Sequence, residues 1–221
     1  MEYYTDGVLK YYIHNGNELG CSGYADDNKK PAKIVIPEKV LGHRVSLISG
    51  QAFQNEDNLE EVVFTQSIEH ISNYAFADCK NLKTINIKHT FIDRLPLRIA
   101  KFAFINCPNL EQFTTANRKI YLEMYAFSNC NNLTKLFAFI CKTEPMVFSN
   151  CPKLENIVIG NGASCEKDSF KNSSVKQVCF EGTVAHIEKV KQWLQKNMQI
   201  VCRSNSNIAD LAYEGYSVTV Q

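Results

Sequence analysis

The side chains best suited to chemistry in this 221-residue chain are its nine cysteines and five histidines. A zinc site needs several of them in close pairs such as C-x-x-C or H-E-x-x-H. Neither spacing occurs, and His14, His43, His70, His89 and His186 stand apart in the sequence. Nucleophilic catalysis needs a thiol or hydroxyl beside a base that a third group orients. There is no G-x-S-x-G elbow, and a Cys/His pair would have to converge from distant segments by accident. Gly160-Asn161-Gly162 reads as a turn, because the spacing of a phosphate-cradling loop is missing. Asn55, Asp78, Asn106, Asn129, Asn150 and Asn172 recur in one context, but Asp78 alone among them is a carboxylate. That is a poor ligand set for a hard cation. The expectation is a chain with no catalytic, cofactor or metal site.

Composition narrows the partners. Lys+Arg number 24 against 23 Asp+Glu, for a net charge of +1, which lacks the basic excess of nucleic-acid and anionic-membrane binders. The longest purely apolar run, Leu136 to Cys141, falls far short of the roughly 20 residues of a membrane-spanning helix. Hydrophobic residues make up 45%, as in a folded protein. The start, Met1 to Gly7, has neither a basic nor an apolar leader region. A cytoplasmic protein, or one whose leader has been removed, is expected. The sequons at Asn132 and Asn172 fall in turns of an Asn-rich chain and fit chance occurrence.

The elements that must position these residues are repeats. Cys79, Cys107, Cys130 and Cys151 each lie three residues after a phenylalanine, and the chain falls into register on Phe53, Phe76, Phe104, Phe127, Phe148 and Phe170. The intervals are 23, 28, 23, 21 and 22 residues. A helical hairpin needs more than about 30, so each unit must hold one strand and a turn-rich return. The longer unit contains an insertion around Lys88 to Pro96, expected to bulge from one face. Leu follows each of the first five phenylalanines at Phe+6, and apolar residues follow at Phe+9. The pattern Leu-x-x-Ile-x-Ile reads as a strand whose first, fourth and sixth residues turn inward, stacked in parallel at about 4.8 Å. A second apolar column, Ile48, Ile71, Ile99 and Leu122, implies a strand on the opposite wall. It weakens to Thr143 and Cys165. The recurrent thiols read as buried core filler rather than a disulfide framework. The Asn/Asp column has two readings: a left-handed backbone that these residues tolerate, or an amide ladder satisfying buried backbone groups.

Ala-Phe-x-x-Cys-x-x-Leu-x-x-Ile, together with Ile34-Val35-Ile36-Pro37 before Val45-x-x-Ile48, resembles the BspA-type leucine-rich repeats over roughly residues 30 to 182. Glu56 and Ser173 replace the cysteine in the outer copies, and Asn or Asp stands where the family often has Gly. The resemblance implies a right-handed leucine-rich-repeat solenoid, mostly β, without catalytic apparatus. It also implies a cell-surface or secreted setting and adhesion to proteins.

The expected layout has an N-terminal β-hairpin cap over 1–33, turning at Asn15-Gly16. About six coils follow over 34–182. A C-terminal cap over 183–221 holds a helix from His186 to Met198, then strands at Gln199 to Cys202 and Tyr216 to Val220. Outward strand positions should form the concave face. One of its columns reads Val63, Asn86, Thr114, Phe137, Val158 and Cys179. Phe137, Val158 and Cys179, with Thr114, Lys135 and Asn156, are the expected contacts for a protein partner. Two alternatives stay open: that the C-terminal segment covers this patch, and that the chain is an assembly module joined through its ends. A monomer is favoured.

Overall fold

The computed structural model describes residues 3–88 and 95–221. It is a mostly β solenoid of about eight turns. The insertion expected at Lys88 to Pro96 lies largely outside the described residues, as does His89.

A three-stranded meander opens the chain: β1 (Tyr3–Thr5), β2 (Leu9–Asn15) and β3 (Glu18–Tyr24), paired antiparallel. Gly16, at φ +57°, makes the tight turn that Asn15-Gly16 implies. β1 extends the expected hairpin by one strand. β3 then pairs in parallel with β6 (His43–Ile48), so the cap is the first rung of a wall. Between them lie β4 (Lys33–Ile36) and the two-residue β5 (Lys39–Val40).

From here each turn supplies one strand to each of two parallel walls. The first wall takes β4, β7 (Glu61–Thr65), β9 (Thr84–Lys88) and the start of β11 (Gln112–Leu122), in register Ile34–Val62–Ile85–Phe113. The second wall takes β6, β8 (His70–Ile71), β10 (Leu97–Ile99) and the end of β11, in register Ile48–Ile71–Ile99–Leu122. β11, β12 (Lys135–Thr143) and β13 (Asn156–Cys165) are long enough to round the corner and serve both walls, with irregular register at the bends. The apolar column foreseen on the opposite wall is this second wall. It stays buried to its end, because Thr143 and Cys165 are paired and shielded like their predecessors.

Between the walls, the phenylalanines stack nearly parallel. Their centroids lie 5.2 Å apart for Phe53–Phe76, 5.2 Å for Phe76–Phe104, 5.0 Å for Phe104–Phe127, 5.5 Å for Phe127–Phe148 and 5.4 Å for Phe148–Phe170. Tyr24 begins the stack edge-on at 5.5 Å, and Trp193 ends it at 4.8 Å. The recurrent leucines and the Phe+9 and Phe+11 residues are buried around it. Each ring removes enough apolar surface from water to contribute roughly 1.5–3 kcal/mol.

The C-terminal segment departs from expectation. The helix expected over His186 to Met198 contracts to α1 (Ile187–Lys191). Its apolar stripe is still used: Val190, Trp193, Leu194 and Met198 are buried. Trp193 has to reach the ring position beyond Phe170, and the chain must return to the first wall within one rung. Tertiary packing therefore overrides the helical period. β14 (Gln177–Phe180), β15 (Gln199–Cys202) and β16 (Ser217–Val220) then continue the first wall in parallel, with a 3-10 helix at Ala209–Glu214 between the last two. The segment adds rungs to the array rather than lying across its last strand.

One buried side chain was not foreseen. Arg118, at the corner of β11, is fully buried. Its guanidinium donates to the Ile68 carbonyl at 2.6 Å and to the Leu95 carbonyl, so it bridges the coils on either side of the insertion. Burial lowers its pKa from 12.5 to about 10, which leaves it charged at neutral pH.

Candidate functional site

The cysteines of the repeat column are committed to structure. All nine cysteines of the chain are free thiols. In the repeat column, Cys79, Cys107, Cys130 and Cys151 each donate to a phenylalanine carbonyl of the preceding turn. These are Phe53 (2.9 Å), Phe76 (3.1 Å), Phe104 (3.2 Å) and Phe127 (3.1 Å). Burial pushes Cys79 and Cys151 up to about 12, and Cys107 and Cys130 well above their ordinary range. A thiol held in its protonated form is a donor to the backbone and not a nucleophile.

The Asn/Asp column combines the left-handed backbone with an amide ladder, but the ladder does not serve the buried backbone groups expected of it. All six residues are left-handed, at φ between +57° and +62°. The amides do form a ladder: Asn106 to Asp78 at 2.8 Å, Asn129 to Asn106 at 2.7 Å, Asn150 to Asn129 at 2.8 Å and Asn172 to Asn150 at 3.0 Å. These bonds run side chain to side chain along an exposed edge, and do not rescue buried backbone groups. The backbone of the returns is paired rung to rung by itself, as in Phe76 N to Ala103 O at 2.8 Å.

The outer face of the first wall carries the residues singled out for a partner. Phe137 stands out most, with 53% of its surface exposed. Strand alternation explains its direction: Leu136 and Ala138 point into the core, so the residue between them must point out. Thr114 pairs with it across β11 and β12, and donates its hydroxyl to Asn86 at 2.7 Å. Val158 and Cys179 are register partners on β13 and β14, both half-buried. Lys135 and Asn156 flank them, exposed. Burial raises the Cys179 thiol, and the Glu181 carboxylate adds to the shift. Val63, in the same column, is buried and contributes nothing to the surface.

Val201 pairs with Cys179 one rung further on but is buried, so like Val63 it adds nothing to the surface. One residue extends this face beyond what was foreseen. Phe139, half-buried at the corner and paired with Lys119, could not be placed without the bend.

Comparison with known proteins agrees with this geometry. No curated protein matches the chain. Among solved structures, a leucine-rich-repeat protein of T. pallidum superposes with a TM-score of 0.53 at 15% identity, over 99% of this chain and 98% of that one. The pneumococcal vaccine antigen PcpA gives 0.54 at 15% identity, over 99% of this chain and 47% of that one. A leucine-rich cell surface protein of Faecalibacterium prausnitzii gives 0.50 at 17% identity, over 100% of this chain and 54% of that one. The chain thus spans about half the length of the last two, and identities this low establish shared fold alone. The sequence profile of the BspA type leucine-rich-repeat region matches residues 46–139 and 96–197, in six copies. With the ring stack, the thiol column and the two walls all set by that repeat, the chain belongs to the BspA type leucine-rich-repeat family.

Proposed function

We propose that the chain is a non-catalytic recognition module of adhesion type, which docks a protein partner on the outer face of its first wall around Phe137. The observation that carries this reading is a phenylalanine 53% exposed on a regular wall where Phe64, Phe113 and Phe180 are core. Exposing an aromatic ring costs hydrophobic stabilisation without any structural return. An aromatic anchor with apolar neighbours and a polar rim has the composition of an interface centre. Val158 and Cys179 supply the neighbours, while Thr114, Lys135 and Asn156 supply the rim. The buried, backbone-bonded thiols support the absence of catalysis.

The test compares wild type with Phe137→Ala in affinity capture from cell-surface and extracellular protein fractions, with thermal melts in parallel. Specific partners should lose at least about tenfold in affinity, a little under the 2 kcal/mol of an interface hot spot. The melting temperature should stay the same. Undiminished capture would place the site elsewhere, and a large drop in melting temperature would make the ring part of the core.

A further inference from the structure

The outer face of the second wall carries a different pattern. Arg98, Tyr121, Lys142 and Ser164 are register neighbours on successive strands. Two residues beyond Tyr121 and Lys142 on the same outward face come Glu123 and Glu144, which follow each other rung by rung through Glu123 N to Ile99 O and Glu144 N to Leu122 O. A cation column and a carboxylate column thus run side by side. A groove of about 390 Å³ lies between them, with Cys141 beside it. Gly162, at φ +72°, lines it without a side chain.

The groups in the groove are unevenly used. Glu144 accepts a backbone bond from Met124 at 3.0 Å, and Arg98 reaches Glu123 only at 3.8 Å. Lys142 has no ion pair, and the Tyr121 and Ser164 hydroxyls have no hydrogen bond, among the described residues. Arg98 and Lys142 stand two rungs apart, about 9–10 Å along the backbone, with the half-buried Tyr121 ring between them.

We propose that this groove binds a small zwitterion of the α-amino-acid type. Its carboxylate lies between Arg98 and Lys142, its ammonium turns toward Glu123 and Glu144, and its side chain rests against Tyr121. The charge pattern selects this class. A polyanion following Arg98 and Lys142 would meet two carboxylates, and a polycation following the glutamates would meet two cations. Like-charge contact of that kind discriminates strongly against the wrong partner. The volume falls in the range of small-molecule sites and is too small for a folded partner. The site lies on the opposite wall from Phe137, so it stands apart from the protein-docking reading.

The experiment titrates the full chain with free L-amino acids up to about 10 mM, near the weak end of specific binding. Ligand-observed NMR reads the binding, and N-acetylated and C-amidated forms of the same amino acids are run beside them. At least one free amino acid should bind, and both blocked forms should lose tenfold or more. Lys142→Met and Glu123→Gln, both on the surface, should each weaken binding by a similar factor with unchanged circular dichroism, while Phe137→Ala leaves it intact. Absence of binding by every amino acid, equal binding of either blocked form, or full binding by both groove variants would overturn the proposal.

Discussion

Asn106 shows how much one position in a repeat must do. Its backbone is left-handed at φ +57°, and its amide both donates to Asp78 and accepts from Asn129. An L-residue with an ordinary Cβ costs roughly 1–2 kcal/mol in that conformation, and glycine escapes the cost. Asn106→Ala therefore loses both ladder bonds and gains strain, whereas Asn106→Gly loses the bonds alone. Urea titration should find the alanine variant less stable than the glycine variant by about 1 kcal/mol. Equal stabilities would mean that the ladder, and not the backbone, selects asparagine. Both uses of the residue were visible in the sequence as alternatives. Choosing between them needed the dihedral angle and the bond partners, because either alone produces the same Asn/Asp restriction.

At the scale of the element, the return turn and the wall strand pose different problems. The first five returns each carry a second left-handed residue four positions earlier, and there the chain uses Gln51, Tyr74, Phe102, Tyr125 and Met146. Bulky residues are unusual in that region. Tyr74, Phe102 and Tyr125 stack on one another at 4.9 and 5.3 Å, which offsets part of the strain. No residue type announced this column, since the compensation comes from the next turn. The wall strands depend instead on polar ties at their outer edges. Arg44 joins β3, β6 and the turn before β8 through Glu18 at 2.8 Å, Glu69 at 2.5 Å and the Ser67 carbonyl at 2.9 Å. The Ser46 hydroxyl, then Arg44, holds Glu18 below its ordinary 4.5 against the opposing effect of burial. Burial, then the neighbouring Arg98, holds His70 below 6.5. In both cases the unfolded chain binds the proton more readily, so stability rises with pH. It should be full above about pH 6.5, fall first as His70 charges, and fall again below about pH 4.5 as Glu18 is protonated. Melting curves between pH 8 and 3 should show both stages. His70→Gln should flatten the upper stage and Glu18→Gln the lower. A profile unchanged by either substitution would assign the pH dependence to other groups.

For the whole molecule, the ring stack is the continuous element, and each rung touches only its neighbours. Phe104 sits midway, stacked on Phe76 and Phe127 and edge-on to Phe113. Phe104→Ala should cost about 3–5 kcal/mol by chemical denaturation. The single tryptophan, Trp193, is buried at the far end of the stack and reports on that end alone. In wild type its emission and the far-ultraviolet circular dichroism should change together. In Phe104→Ala the two transitions should separate, because the break lies between the reporter and half of the array. Coincident transitions in the variant would mean that the walls alone keep the solenoid cooperative.

Periodicity by itself determined the solenoid. Phe, Cys, Leu and Ile recur at a length that admits only a strand and a return, and burial of those residues is a local property of their spacing. The same alternation put Phe137 outside, and short segments such as Gln199 to Cys202 could be read as strands from their own residues. Tertiary structure decided what depends on a neighbouring turn. It cut the helix expected from His186 to Met198 so that Trp193 could close the stack, and turned the C-terminal segment into further rungs. It also buried Arg118 beneath the corner and set Arg98, Tyr121 and Lys142 in line across strands more than twenty residues apart in sequence. Such placements follow from interstrand register and corner geometry, which no single repeat encodes.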